Sequence, residues 1–167
     1  MAIMNRPGED RQAAAARQPD RVTKYQANTF TISCLEGWQD KTIHTLTGPV
    51  VDGIQHNVLI TVEPGMAFDS VREYAEWQIG ALESELKSCR LLKKGGIVLA
   101  SGLPAYKAVF SWYPTEALRV YQEQIYVLHE KNACKLTATF TKKTRKTLGP
   151  QVERMMLSFN PAKREGR

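Results

Sequence analysis

In DSVREYAEWQIGALESEL, residues 69–86, apolar side chains recur at Val71, Ala75, Ile79, Leu82 and Leu86, the three-to-four spacing of one helical face. Ser70 and Glu73 stand as the S-x-x-E pattern that satisfies the first free amides of a helix, so the segment predicts one helix of about four to five turns. On both sides the period is two. Before it, YQANTFTIS (residues 25–33), KTIHTL (41–46) and QHNVLITV (55–62) alternate apolar and polar positions and read as three strands, the last two joined by a turn in TGPVVDG. After it come SCRLLKKGGIVLAS, expected as two short pieces bent at Gly95 and Gly96, then LPAYKAVFSWY, ALRVYQEQIYVLHE and ACKLTATF. Turns are expected at Pro114-Thr115-Glu116 and at Lys131-Asn132. A final helix is predicted from Gly149-Pro150, with Leu148, Val152, Met155, Met156 and Phe159 at helical spacing and a stop at Asn160-Pro161. The order βββ-α-ββββ-α lacks the alternation of a parallel sheet and predicts an α+β domain with a largely antiparallel sheet.

The chain has 167 residues, 43% of them hydrophobic, enough for one domain that buries a core without metal or disulfide staples. Cys34, Cys89 and Cys134 are odd in number and show no CxxC or Cys/His spacing, which points to buried or spare thiols in a reducing cytosol. No apolar run reaches the ~18 residues of a membrane helix, and the first residues lack a signal-peptide core, so the expectation is a protein that stays in the cytoplasm. Residues 1–24 read as a flexible leader, residues 25–161 as the domain and residues 162–167 as a basic tail. The net charge of +6 sits at the ends. Residues 25–141 carry ten Lys/Arg against twelve Asp/Glu, a slightly acidic body that argues against a nucleic-acid partner.

No constellation suggests catalysis. His44, His56 and His129 are isolated on strand-like segments with no HxxxH or HExxH pattern, Gly95-Gly96 lies between strand pieces rather than before a helix, and no cofactor or metal is implied. Amides do sit within apolar patterns, Gln78 and Gln124 above all. At 100° per residue from Val71, Gln78 falls at about −20°, between the positions of the apolar stripe. On the late strand Val120, Gln122, Gln124, Tyr126 and Leu128 share one face. An unpaired buried amide costs roughly 1–3 kcal/mol, so each glutamine has either an internal partner or an external one.

Taken together, WQDKTIH after the early strands, the YAEWQIGALESEL helix, the YQEQIYVL strand and the last amphipathic helix resemble the effector-associated (Eag) chaperones of type VI secretion, within the DcrB/Mog1/PsbP-like group. The resemblance spans roughly residues 25–161. It implies a Mog1/PsbP-like α/β/α sandwich, with a curved sheet and two main helices. It further implies a cytoplasmic homodimer, not an enzyme and not membrane-anchored, that shields the transmembrane helices in the N-terminal region of an effector, near a PAAR domain, and helps to load it on the spike protein. Carried over by position, the client-binding residues are Ile43 and Thr45 on the strand, Gln78 on the helix and Gln124 on the late strand. Thr45 departs from the bulky aliphatic residue usual there. Trp38 is expected to anchor the corner that sends Ile43 and Thr45 to the concave face. A DcrB-like lipoprotein would need an export signal and a lipidated cysteine, and neither is expected here.

Overall fold

The computed structural model describes residues 21–161; most of the leader, residues 1–20, and the basic tail lie outside them. The chain divides into two units, Met1–Asp40 and Lys41–Arg167. In the first, β1 (Val22–Gln26) and β2 (Thr31–Leu35) form an antiparallel hairpin. Its turn is closed by the Ala27 amide donating to the Phe30 carbonyl at 2.9 Å. The sequence had suggested a single strand starting at Tyr25. The strand instead begins at Val22, within the expected leader, and the alternation of YQANTFTIS runs straight across a turn that has no Gly or Pro to mark it. The Tyr25 hydroxyl donates to Asp40 at 2.7 Å, tying the end of the WQD corner back to the hairpin. Trp38 itself is 74% exposed, so it does not anchor that corner by burial.

The second unit is built on a six-stranded sheet in the order β3-β4-β8-β7-β6-β5. Its strands are β3 (Ile43–Val51), β4 (Ile54–Pro64), β5 (Arg90–Val98), β6 (Pro104–Thr115), β7 (Leu118–His129) and β8 (Asn132–Phe140), and every pairing is antiparallel. The turn foreseen in TGPVVDG shrinks to Asp52 and Gly53, both at positive φ (53° and 76°), the backbone a two-residue hairpin demands. Gly48 and Pro49 lie where the β3–β4 register shifts. Strand β5 passes through Gly95 and Gly96 without a break, and its irregularity falls between Leu91 and Lys93 instead.

Helix α1 (Val71–Glu85) begins as expected: the Ser70 side chain accepts from the Glu73 amide. The Glu73 carboxylate accepts from the Asp69 amide at 3.0 Å, one residue earlier than in the usual reciprocal cap. Two helices follow β8 rather than one, α2 (Lys142–Thr147) and α3 (Gly149–Leu157). Helix α1 covers one face of the sheet, where Tyr74, Ala75 and Ile79 pack with Tyr106, Ala108, Tyr126 and Ala133. On the other face Met156, with Leu148 and Val152, closes over Val58, Ile125, Val127, Leu136 and Phe140. The fold is therefore α+β, an antiparallel sheet with helices on both faces. Lys107 is nearly buried on the α3 face between Glu123 of β7, at 3.2 Å, and Glu153 of α3.

Candidate functional site

Strand register determines which of the expected site residues meet. Thr45 pairs with Leu59, Leu59 with Thr137, Thr137 with Gln124, Gln124 with Ala108, and Ala108 with Lys94. This single row crosses all six strands. The row two residues along runs Ile43, Thr61, Lys135, Tyr126, Tyr106 and Gly96. Side chains two apart on a strand share a face, so Ile43, Thr45 and Gln124 lie on one side of the sheet, the side that carries α1. Gln78 is on α1 and reaches the same surface, its carbonyl oxygen accepting from Lys135 Nζ at 3.3 Å. The structure thus brings all four expected residues to one face.

Helix α1 packs on β5, β6 and β7. An edge-to-face contact of Tyr74 with Tyr126, 5.9 Å between ring centres, marks its middle. Its outer flank is held by Glu76, which accepts from Lys94 Nζ at 2.6 Å and from the Tyr106 hydroxyl at 2.8 Å. The Lys94 hydrogen bond, then the Tyr106 one, keeps the Glu76 carboxyl below the ordinary glutamate range. Burial pushes the hydroxyls of Tyr74 and Tyr126 far above the usual tyrosine range, so both stay protonated. Beyond the helix, β3 and β4 are bare on this face: Ile43 is 56% exposed and Thr45 is exposed as well, with half-buried Leu59 and Thr61 beside them.

The two glutamines differ. Gln124 is 4% exposed and its carbonyl accepts from the hydroxyl of Tyr126, two residues along the same face; its oxygen is satisfied from within. Gln78 is half-buried at the border of the bare surface. A third amide, Gln122, links the sheet laterally, its oxygen accepting from Trp112 Nε1 at 3.1 Å and its nitrogen donating to Thr139 at 2.9 Å. The floor of this surface accordingly mixes hydroxyls with aliphatics, with exposed Thr45 and half-buried Thr61 beside Ile43 and Leu59 and buried Thr137 next to them, rather than the run of aliphatic positions that the resemblance implied.

Sequence reasoning missed Trp77. It is 55% exposed and leans on Phe68, 5.7 Å between ring centres. At 100° per residue it falls at about −120° from Val71, on the flank shared with Tyr74 and Ala81, so the wheel that located Gln78 could have found it. His44 and His129, weighed as catalytic candidates, stand on β3 and β7 with two strands between them. Among the described residues no group of three His, Cys, Asp or Glu side chains is placed to hold a metal ion, and no helix is long and apolar enough to cross a membrane. The opposite face has a hollow of about 180 Å³ between α3 and β3–β4, lined by Leu46, Pro49, His56, Val152 and Met155 among others.

The profile of the family described as DcrB matches residues 29–158. A protein of unknown function from Pseudomonas aeruginosa, PA94, superposes with a TM-score of 0.68 at 18% identity, over 85% of this chain and 98% of that one. The cyanobacterial PsbP (CyanoP) of Synechocystis sp. PCC 6803 superposes with a TM-score of 0.51 at 6% identity, over 90% and 98% of the two chains. At such identities the likeness is one of fold. No curated protein matches the sequence.

Proposed function

We propose, from the premise that the chain belongs to the DcrB family, that it is a cytoplasmic chaperone without catalytic activity, which covers the hydrophobic transmembrane helices near the N-terminus of a type VI secretion effector. The observation that carries this reading is the sheet face beside α1, where Ile43 and Thr45 lie bare next to the half-buried Leu59 and Gln78. A transmembrane helix in water exposes an apolar surface that aggregates. A bare sheet of short side chains bordered by a helix can accept such a segment lengthwise. Threonines suit the task, because helices bound for a membrane carry Gly, Ala, Ser and Thr on their packing faces, and short β-branched partners allow close approach. Gln78 spends its oxygen on Lys135, which leaves its amide nitrogen to meet a carbonyl of the client. Gln124 serves from beneath, by fixing Tyr126 and hence the floor. The protein works as a homodimer, hands the effector's PAAR region to the spike, and needs no cofactor and no nucleic acid.

Co-expression tests the reading. The N-terminal helices of an effector encoded beside this protein should remain in solution and co-purify with it, and Ile43→Asp should abolish that. Recovery of the helices only as aggregate, for several neighbouring effectors, would overturn it. A second reading draws on the polar floor itself: a DcrB-like interaction module that grips a folded partner. On that reading the protein captures the partner's folded domain, and its transmembrane helices gain no solubility.

A further inference from the structure

The end of the second unit formed by α2 concentrates positive charge on the sheet face opposite the proposed client surface. Lys142, Lys143 and Lys146 are exposed on α2, and none has an ion pair among the described residues. Arg119, at the start of β7, lies beside them in a different state. Its guanidinium stacks over the rings of Tyr121 and Tyr113, at 5.2 and 5.9 Å from their centres. Its Nε and Nη2 donate to the buried hydroxyl of Ser111 at 3.2 and 2.7 Å. It is a cation fixed before any ligand arrives, and its remaining N–H groups are free of carboxylate partners among the described residues.

These four cations line one open hollow of about 660 Å³, together with Thr141, Thr147 and Asp52. The only carboxylate in that lining, Asp52, accepts from the Thr141 hydroxyl at 2.5 Å. Neighbouring acids are engaged elsewhere: Glu123 faces Lys107 at 3.2 Å and Arg145 at 3.7 Å, Glu153 pairs with Lys107, and Glu116, next to the lining residue Ala117, pairs with Lys87 at 3.4 Å. A preformed guanidinium beside three exposed ammonium groups matches several carboxylates in sequence, one held in fork geometry and the rest loosely.

We propose that this hollow is a docking site for an acidic peptide segment of a partner protein, seated on Arg119, Lys142, Lys143 and Lys146. A nucleic acid suits it less well. The two tyrosine rings on which bases could stack are already covered by guanidinium groups, since Arg145 also lies over Tyr121 at 5.7 Å. The cations surround one hollow rather than tracking a groove, with Glu123 and Glu153 close beside them. An anionic membrane is disfavoured because no lining residue is an exposed large apolar side chain that could insert.

Fluorescence anisotropy with a labelled twelve-residue Asp/Glu-rich peptide tests this on the full chain. The peptide should bind, bind roughly tenfold more weakly to the Lys142→Gln/Lys143→Gln/Lys146→Gln variant, and be released as salt rises. Arg119→Lys keeps the charge but loses the fork and should weaken binding several-fold. A Lys-rich control peptide should not bind. No binding of the acidic peptide, equal binding by the triple variant, or tighter binding of a single-stranded oligonucleotide or of phosphatidylserine vesicles would overturn the proposal. Because the hollow and the α1 face lie on opposite sides of the sheet, the triple variant should still co-purify effector helices, so the two readings fail separately.

Discussion

Two glutamines that look alike in sequence have different roles in the folded chain. Gln124→Ala removes the acceptor of the fully buried Tyr126 hydroxyl and should cost about 1–3 kcal/mol, measured by urea unfolding. Gln78→Ala strips a half-buried amide bonded to a lysine and should change stability by less than about 0.5 kcal/mol, while weakening client binding roughly three- to tenfold. The strand periodicity correctly put Gln124 on a mostly apolar face. Its partner was legible too, since residues two apart on a strand are neighbours, but a pattern of apolar positions does not say which hydroxyl turns toward which amide. Glu76 gives a pH signature. Its carboxyl sits below the ordinary value of 4.5 because Lys94, then Tyr106, bond its charged form. The stabilisation is therefore full above the ordinary range and is lost as pH falls through the folded value. Glu76→Gln should melt lower than wild type at pH 7, and the gap should narrow as pH falls below the ordinary glutamate value of 4.5; a gap that does not change with pH would mean the side chain acts by packing alone.

At the level of elements, local chemistry located what period alone could not. The first hairpin was hidden because alternation continued through its turn, and α2 because KKTRKT has no apolar stripe. That helix is held by its cap: Thr141 and Thr144 exchange side-chain and backbone hydrogen bonds, and His56 reaches the Thr144 hydroxyl from β4 at 2.9 Å. By contrast, α1 and α3 were plain because each buries one stripe. The β7–β8 turn was foreseen one residue late. It is made by Glu130 and Lys131, at φ of 48° and 63°, a conformation that residues with a side chain adopt at a cost. Replacing the pair by Asn-Gly should stabilise the protein by about 0.5–1 kcal/mol, seen as a rise of a few degrees in Tm. The backbone bond from the Met66 amide to the Lys131 carbonyl is unaffected by the exchange.

For the molecule as a whole, fold class followed from the order of periods, but strand order did not. Helix α1 carries the chain from β4 across the sheet to β5 at the far edge, and β8 returns to fill the place between β4 and β7. That crossing is why the helix shields β5–β7 and leaves Ile43 and Thr45 bare. No periodicity encodes it, because which strands become neighbours depends on long-range packing. The ammonium of Lys107 bears on this arrangement. Burial alone would lower its pKa, but the Glu153 and Glu123 carboxylates outweigh that and hold it above the ordinary lysine value, so it remains charged at neutral pH. A nearly buried ion triad adds little net stability over a well-packed apolar side chain. It acts instead as a pawl: a slide of α3 by one turn, about 5.4 Å, would strand the charge without its helix partner. Lys107→Met should unfold at no lower denaturant concentration than Lys107→Ala, yet show doubled amide resonances along α3, the mark of a helix free to choose between seats.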